Sequence, residues 1–380
     1  MNLSSSVFRN DEIAVYNLRE LYQSYGYNLY KINRFEEYDL YARNKNFLVS
    51  ENILTFTDTN GRLMALKPDV TLSLIKNIAL GADQTYKVFY NENVYRTSSA
   101  SNGFKEIVQT GLECIGKVDM ISECEVLMLA IKSLECISNE SILDISHMGF
   151  IEGLLDSEKL SANEKEKFLF AIESKNLSEI KRLCNINGIP DNLLNILEVI
   201  VNMYLPLDKS IEILSEMALN SKMLDALREL SDIAAAMKIY GLQDKIFLDF
   251  SVVNNRNYYN GITFKGFIKG IPESILSGGR YDKLLEKMGK QSRAIGFAVY
   301  LDKIERYGNN ESSFDVDALI IYDPALSYKK IINAVEEIRG QGKSVKLAVV
   351  IDNGVKYKEL LKITERGVEL LERNDKYSAS

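Results

Sequence analysis

The chain has 380 residues, 46% of them hydrophobic and 26% charged, and a formal net charge of −7. That length accommodates two or three domains, and the composition is ordinary for a soluble globular protein. The acidic balance argues against nucleic-acid binding, which needs a basic face. The polar segment 1–10 has no apolar signal region and no apolar run approaches the ~20 residues of a membrane span, so a cytoplasmic protein without membrane contact is expected.

Residues 11–26 carry apolar side chains at helical spacing (Ile13, Leu18, Leu21, Tyr25), with Gly26 as the stop. Asp58-Thr59-Asn60-Gly61 is a hairpin turn signal and 63–66 the strand after it. Asp69 is placed to cap a helix beginning near Val70. Residues 88–94 and 106–113 alternate like two antiparallel strands joined by the polar loop 97–103. Residues 122–137 form an amphipathic helix, and 150–240 reads as almost wholly helical. Strand patterns return at 246–253 and 262–267. A helix-rich insertion within a sheet domain is the simplest account.

The polar stretch 305–316 reads as a linker. A strand (318–322), a helix (328–341), a strand (345–351) and a helix from Val355 onward are expected after it, and 374–380 reads as a frayed tail. The cysteines Cys114, Cys124, Cys136 and Cys184 show no metal-ligand spacing and read as free thiols. The single histidine, His147, cannot build a histidine-based metal site, and its surroundings read as a structural strand end. No metal and no cofactor are expected.

Four separated segments carry polar residues suited to a small zwitterion: 66–71 (Leu-Lys-Pro-Asp-Val-Thr), 93–96 (Asn-Val-Tyr-Arg), 108–113 (Val-Gln-Thr-Gly-Leu-Glu) and 257–261 (Asn-Tyr-Tyr-Asn-Gly). Strand alternation puts Gln109, Gly111 and Glu113 on one face. Glu113 and Asp69 suit an α-ammonium, Arg96 an α-carboxylate held in a bidentate fork, and Tyr258 and Tyr259 the walls around a flat ring. Singly, each residue is better explained as a solvated strand face or a core edge. The weight lies in the order and spacing of all four, followed by Ser277-Gly278-Gly279-Arg280-Tyr281-Asp282 and Ala294-Ile295-Gly296-Phe297-Ala298.

With those motifs, residues 10–305 resemble histidyl-tRNA synthetase. The resemblance implies an α+β, class II aminoacyl-tRNA synthetase-like fold: an antiparallel sheet with flanking helices, a helical insertion, and a small C-terminal α/β module. The expected organisation is a synthetase-like domain over 1–305 with the insertion at about 150–240, a linker over 306–316, the module over 317–373 and a tail over 374–380. On this resemblance Asp69 and Thr71 receive the amino group, and Arg96 is the second-motif arginine. Gln109 and Glu113 belong to the amino-acid pocket, and Tyr258 and Tyr259 line the imidazole site.

The departures from the synthetase pattern concern ATP. The 97–105 loop has no arginine, the catalytic arginine aligns with Asn254, the third-motif arginine is Lys303, and the first-motif proline is Asn33. Adenylation needs several cations around the triphosphate, and lysine for arginine loses the bidentate fork. The combination resembles the ATP phosphoribosyltransferase regulatory subunit family. That resemblance implies a non-catalytic subunit partnered with the short-form catalytic ATP phosphoribosyltransferase, L-histidine as feedback effector, and self-association as a dimer. A divergent histidyl-tRNA synthetase and a stand-alone amino-acid-binding module are the alternatives.

Overall fold

The computed structural model describes residues 9–48, 52–78, 84–97, 103–252, 259–304, 314–352 and 354–374. It divides into two compact units, Met1–Tyr307 and Gly308–Ser380. In the first, α1 (Asn10–Ser24) is followed by β1 (Asn28–Leu29), β2 (Phe35–Glu37), α2 (Tyr38–Ala42), β3 (Thr55–Thr57), β4 (Leu63–Leu66) and α3 (Val70–Asn77). The long hairpin of β5 (Thr85–Thr97) and β6 (Phe104–Gly116) leads to α4 (Met120–Glu135) and β7 (Ser141–His147). Next come α5 (Met148–Asp156), α6 (Ala162–Glu173), α7 (Leu177–Asn187), α8 (Asp191–Asn202), β8 (Leu205–Pro206), α9 (Leu207–Ser215) and α10 (Ser221–Ile239). The unit closes with β9 (Ile246–Leu248), β10 (Ile262–Ile268), β11 (Leu276–Arg280), α11 (Asp282–Lys287), β12 (Arg293–Tyr300) and α12 (Leu301–Ile304).

Nine strands form one sheet in the order β1-β5-β6-β12-β11-β10-β7-β9-β8. The central neighbours from β5 to β7 are all antiparallel. One face is buried beneath α1, α4 and the helices between β7 and β9, in a core that includes Leu18, Leu112, Leu127, Phe264 and Phe297. Period-2 alternation therefore sends Gln109, Gly111 and Glu113 to the opposite face. Register carries that face across the sheet: Glu113 lies opposite Gly296, Gly111 opposite Ala298 and Gln109 opposite Tyr300 on β12. Beyond them stand Gly279 and Ser277 on β11. The sheet centre is thus paved with glycine, alanine and serine, which leaves room above it.

Local signals account for the elements around this floor. Asp58 Oδ1 accepts from the Asn60 and Arg62 amides, both at 2.8 Å, and closes the β3–β4 hairpin that the sequence signals. Asp119 caps α4 by accepting from the Ser122 amide at 2.9 Å, and Asp69 caps α3 from the Leu72 amide at 2.9 Å.

In the second unit, β13 (Val316–Tyr322), α13 (Tyr328–Gly340) and β14 (Val345–Ala348) follow the expected order. The helix expected from Val355 is instead two strands, β15 (Tyr357–Thr364) and β16 (Gly367–Arg373), in a sheet ordered β14-β13-β15-β16. The apolar positions of 357–363 imitate helical spacing because β15 is buried on both sides. Leu361 and Ile363 pack with Ile320 and Ile331, whereas Tyr357 and Leu360 pack with Leu319. A strand covered on both faces loses its period-2 signature. Gly367, at φ 131°, opens β16 directly after the two-residue turn in a conformation that disfavours other residues. The expected linker and tail lie mostly outside the described residues.

Candidate functional site

A cavity of about 530 Å³ opens on the small-residue face of the sheet. Its deepest charged group is Glu113, only 2% exposed. Thr71 Oγ1 donates to Glu113 Oε1 at 2.8 Å, and the Tyr281 hydroxyl donates to Oε2 at 2.6 Å. Burial pushes the Glu113 carboxyl up to about 8, against the pull of these two donors and with a smaller push from the Asp69 charge. The carboxylate fits only because Gly296 faces it: a Cβ there would lie 1.7 Å from Glu113 Oε2.

Asp69 and Thr71 reach the cavity from the start of α3. The segment before them is fixed to β5. Fully buried Lys67 pairs with Glu92 at 2.7 Å, and the Tyr95 amide donates to the Lys67 carbonyl at 2.9 Å. Arg96 Nε donates to the Pro68 carbonyl at 2.9 Å. Burial raises the Asp69 carboxyl, and Arg96 opposes that rise. Gln109 is 2% exposed, and its Nε2 has no hydrogen-bond partner among the described residues. A buried amide of this kind has a donor to offer a ligand in the cavity. Tyr259 and Tyr90 wall the cavity, and burial lifts both phenols well above their ordinary range.

Six of the seven residues singled out from the sequence therefore line one cavity: Asp69, Thr71, Arg96, Gln109, Glu113 and Tyr259. The seventh, Tyr258, lies outside the described residues, as do Asn254 and most of the 97–103 loop. Tyr281 and Gly296 were quoted in motifs but given no task, and the structure places both against Glu113. Tyr281→Phe removes one of Glu113's two donors. Its expected result is a further rise in the Glu113 pKa with the fold kept, read by carboxyl titration using isotope-edited infrared difference spectra.

The turn at 279–282 divides into two tasks. Tyr281 serves the cavity, while Arg280 and Asp282 hold the fold. Arg280 Nε bonds Asp282 Oδ2 at 2.7 Å, and its Nη1 reaches Glu123 on α4 at 3.3 Å and Glu229 on α10 at 3.9 Å. Asp282 Oδ1 accepts from the Ala294 amide at 2.9 Å. His147, buried at the end of β7, places Nε2 2.9 Å from Glu229 Oε2 and belongs to this network. Lys303 is also engaged: its Nζ bonds the Ser274 carbonyl and Glu273, both at 2.9 Å, and lies over the Tyr300 ring. Lys105 pairs with Asp302 at 2.6 Å.

Residues 3–304 match the histidyl-tRNA synthetase family. The chain is 30% identical to the ATP phosphoribosyltransferase regulatory subunit of Clostridium kluyveri, over 86% of this chain and 85% of that protein. The chain belongs to the ATP phosphoribosyltransferase regulatory subunit family. An ATP phosphoribosyltransferase regulatory subunit/histidyl-tRNA synthetase from Bacillus halodurans superposes with a TM-score of 0.74 at 21% identity, covering 93% of each chain. A chain from the ATP phosphoribosyl transferase (HisG:HisZ) complex of Thermotoga maritima does so with a TM-score of 0.59 at 22% identity, covering 77% of this chain and 97% of that one. These two likenesses concern the fold, and they agree with the α+β, class II synthetase-like architecture read from the sequence. Among the described residues no helix is long and apolar enough to cross a membrane.

Proposed function

We propose that this chain is the non-catalytic regulatory subunit of ATP phosphoribosyltransferase, acting in the first step of histidine biosynthesis and binding L-histidine in the cavity above Glu113. One observation carries the reading. The groups that suit an amino acid converge on the cavity, whereas the lysine at the third-motif position is bonded to Ser274 and Glu273. A site that recognises an amino acid but does not grip a triphosphate senses the amino acid rather than activating it.

The catalytic partner is the short form of the transferase. The Thermotoga maritima relative comes from a complex bearing the transferase's name, which supports a hetero-oligomer here too. Histidine inhibits by binding one state of that assembly better than another, and the coupling equals the difference in affinity. The assembly is cytoplasmic and is built on a dimer of this chain. Residues 1–305 form the ligand-binding domain and 317–373 a separate module.

Phosphoribosyl-ATP formation by the short catalytic subunit, measured with and without this chain, tests the proposal. Strong activation, reversed by L-histidine, is expected. An unchanged rate with an active partner, accompanied by histidine-dependent ATP–pyrophosphate exchange in this chain alone, would instead make it a synthetase.

A further inference from the structure

We infer that Glu123, His147, Glu229, Arg280 and Asp282 form a pH-sensitive clasp, which seats helix α10 of the insertion on the sheet domain and sets the turn that carries Tyr281. The cluster draws on α4, the end of β7, α10 and the turn from β11 to α11. Its charges do not balance. Among the described residues, Arg280 is the only arginine or lysine within 4 Å of any of its three carboxylates. A single guanidinium nitrogen, Nη1, serves both Glu123 on α4 and Glu229 on α10. Glu123 Oε2 and His147 Nδ1 are buried and have no hydrogen-bond partner among the described residues.

Burial pushes the Glu123 carboxyl up to about 7; Arg280 opposes the rise, and Glu229 and Asp282 add to it. Arg293, exposed at the start of β12, attracts both glutamates more weakly. Nearby charges are paired elsewhere. Lys222 of α10 and Lys283 of α11 reach Glu152 of α5, and Asp225 pairs with Arg228 on α10. Asp232 of α10 is exposed.

Protonation therefore sets the balance. With Glu123 neutral and a proton on both nitrogens of His147, Glu229 and Asp282 face two cations. With Glu123 ionised and the imidazole neutral, three carboxylates share one guanidinium, and Glu229 meets like charge from α4. The Glu123 pKa in the closed clasp lies above the ordinary 4.5, so closure costs progressively more as pH rises from 4.5 toward about 7. Leu227, Leu230 and Ile233 keep α10 in the apolar core throughout, so the helix loosens rather than detaches. The turn links the clasp to the cavity: Tyr281 lies between Arg280 and Asp282, and its hydroxyl donates to Glu113. The clasp is independent of which ligand the cavity takes.

Hydrogen exchange of the full chain from pH 5 to pH 7, corrected for the intrinsic exchange rate, tests the clasp. In wild type, protection of α10 should fall at least about tenfold over that range, while α7, elsewhere in the insertion, stays level. The turn 280–282 should lose protection together with α10. Glu123→Gln cannot ionise and should hold the α10 loss to about threefold or less. Glu229→Gln should lower α10 protection at pH 5 about tenfold, because it gives up the pairing with Arg280 and His147, and should change little at pH 7. A pH-independent α10 in wild type, or the wild-type profile unchanged in Glu123→Gln, would overturn the inference. A turn that keeps its protection while α10 loses it would overturn the link to the cavity.

Discussion

Glu113→Gln is expected to raise the histidine concentration for half-inhibition of the assembled transferase by about tenfold or more, with assembly itself intact. Glutamine keeps the shape of the side chain and its carbonyl can still accept from Thr71 or Tyr281. It cannot become an anion, so a cationic group of the ligand loses its buried counter-charge. The wild-type response should also depend on pH. Burial holds the carboxyl up to about 8, so the anion that attracts the ligand forms as pH rises through that value. Histidine affinity should strengthen over that range for as long as the ligand keeps its own ammonium proton, and Glu113→Gln should flatten the profile. Folding stability has the opposite slope. The folded-state pKa lies above the ordinary 4.5, so Glu113 costs stability progressively as pH rises from 4.5 toward about 8. The Gln variant should therefore be the more stable protein at alkaline pH. Equal histidine sensitivity of wild type and variant across this range would place the effector elsewhere.

The polar face of β6 was legible because strand alternation is local: Gln109 and Glu113 are four residues apart, so period 2 alone puts them on the same face. The cap at Asp69 and the hairpin at Asp58–Gly61 were legible for the same reason. Tyr281 was not, because its bond to Glu113 spans 168 residues and only the register of β11, β12 and β6 creates it. The error at β15 has a related cause. Tyr357, Leu360 and Leu361 imply a helix only if one face is buried, and which faces are covered is a tertiary fact.

Gly296→Ala is expected to abolish the histidine response and destabilise the fold by about 3 kcal/mol, the upper range for overpacking a well-filled site. The new methyl group would lie 1.7 Å from Glu113 Oε2 and 2.5 Å from the Leu112 carbonyl. Neither neighbour yields easily. The carboxylate is held by two donors, and the carbonyl belongs to β6, which pairs with β12 along eight positions. Gly278→Ala provides the comparison. Its Cβ would meet the Gly296 carbonyl at 2.4 Å and the Phe297 and Phe264 side chains, on the core side of the sheet and away from the cavity. Urea midpoints should fall for both variants, but the folded fraction of Gly278→Ala should still bind histidine. Adding Glu113→Ala to Gly296→Ala removes one of the two clashes and should recover part of the lost stability, so that the two changes are non-additive. Full additivity would mean that Gly296 serves strand pairing alone. A coupled pair would show that the glycine in the Gly-Phe-Ala strand is needed there because the sheet must leave space for a carboxylate to reach a ligand.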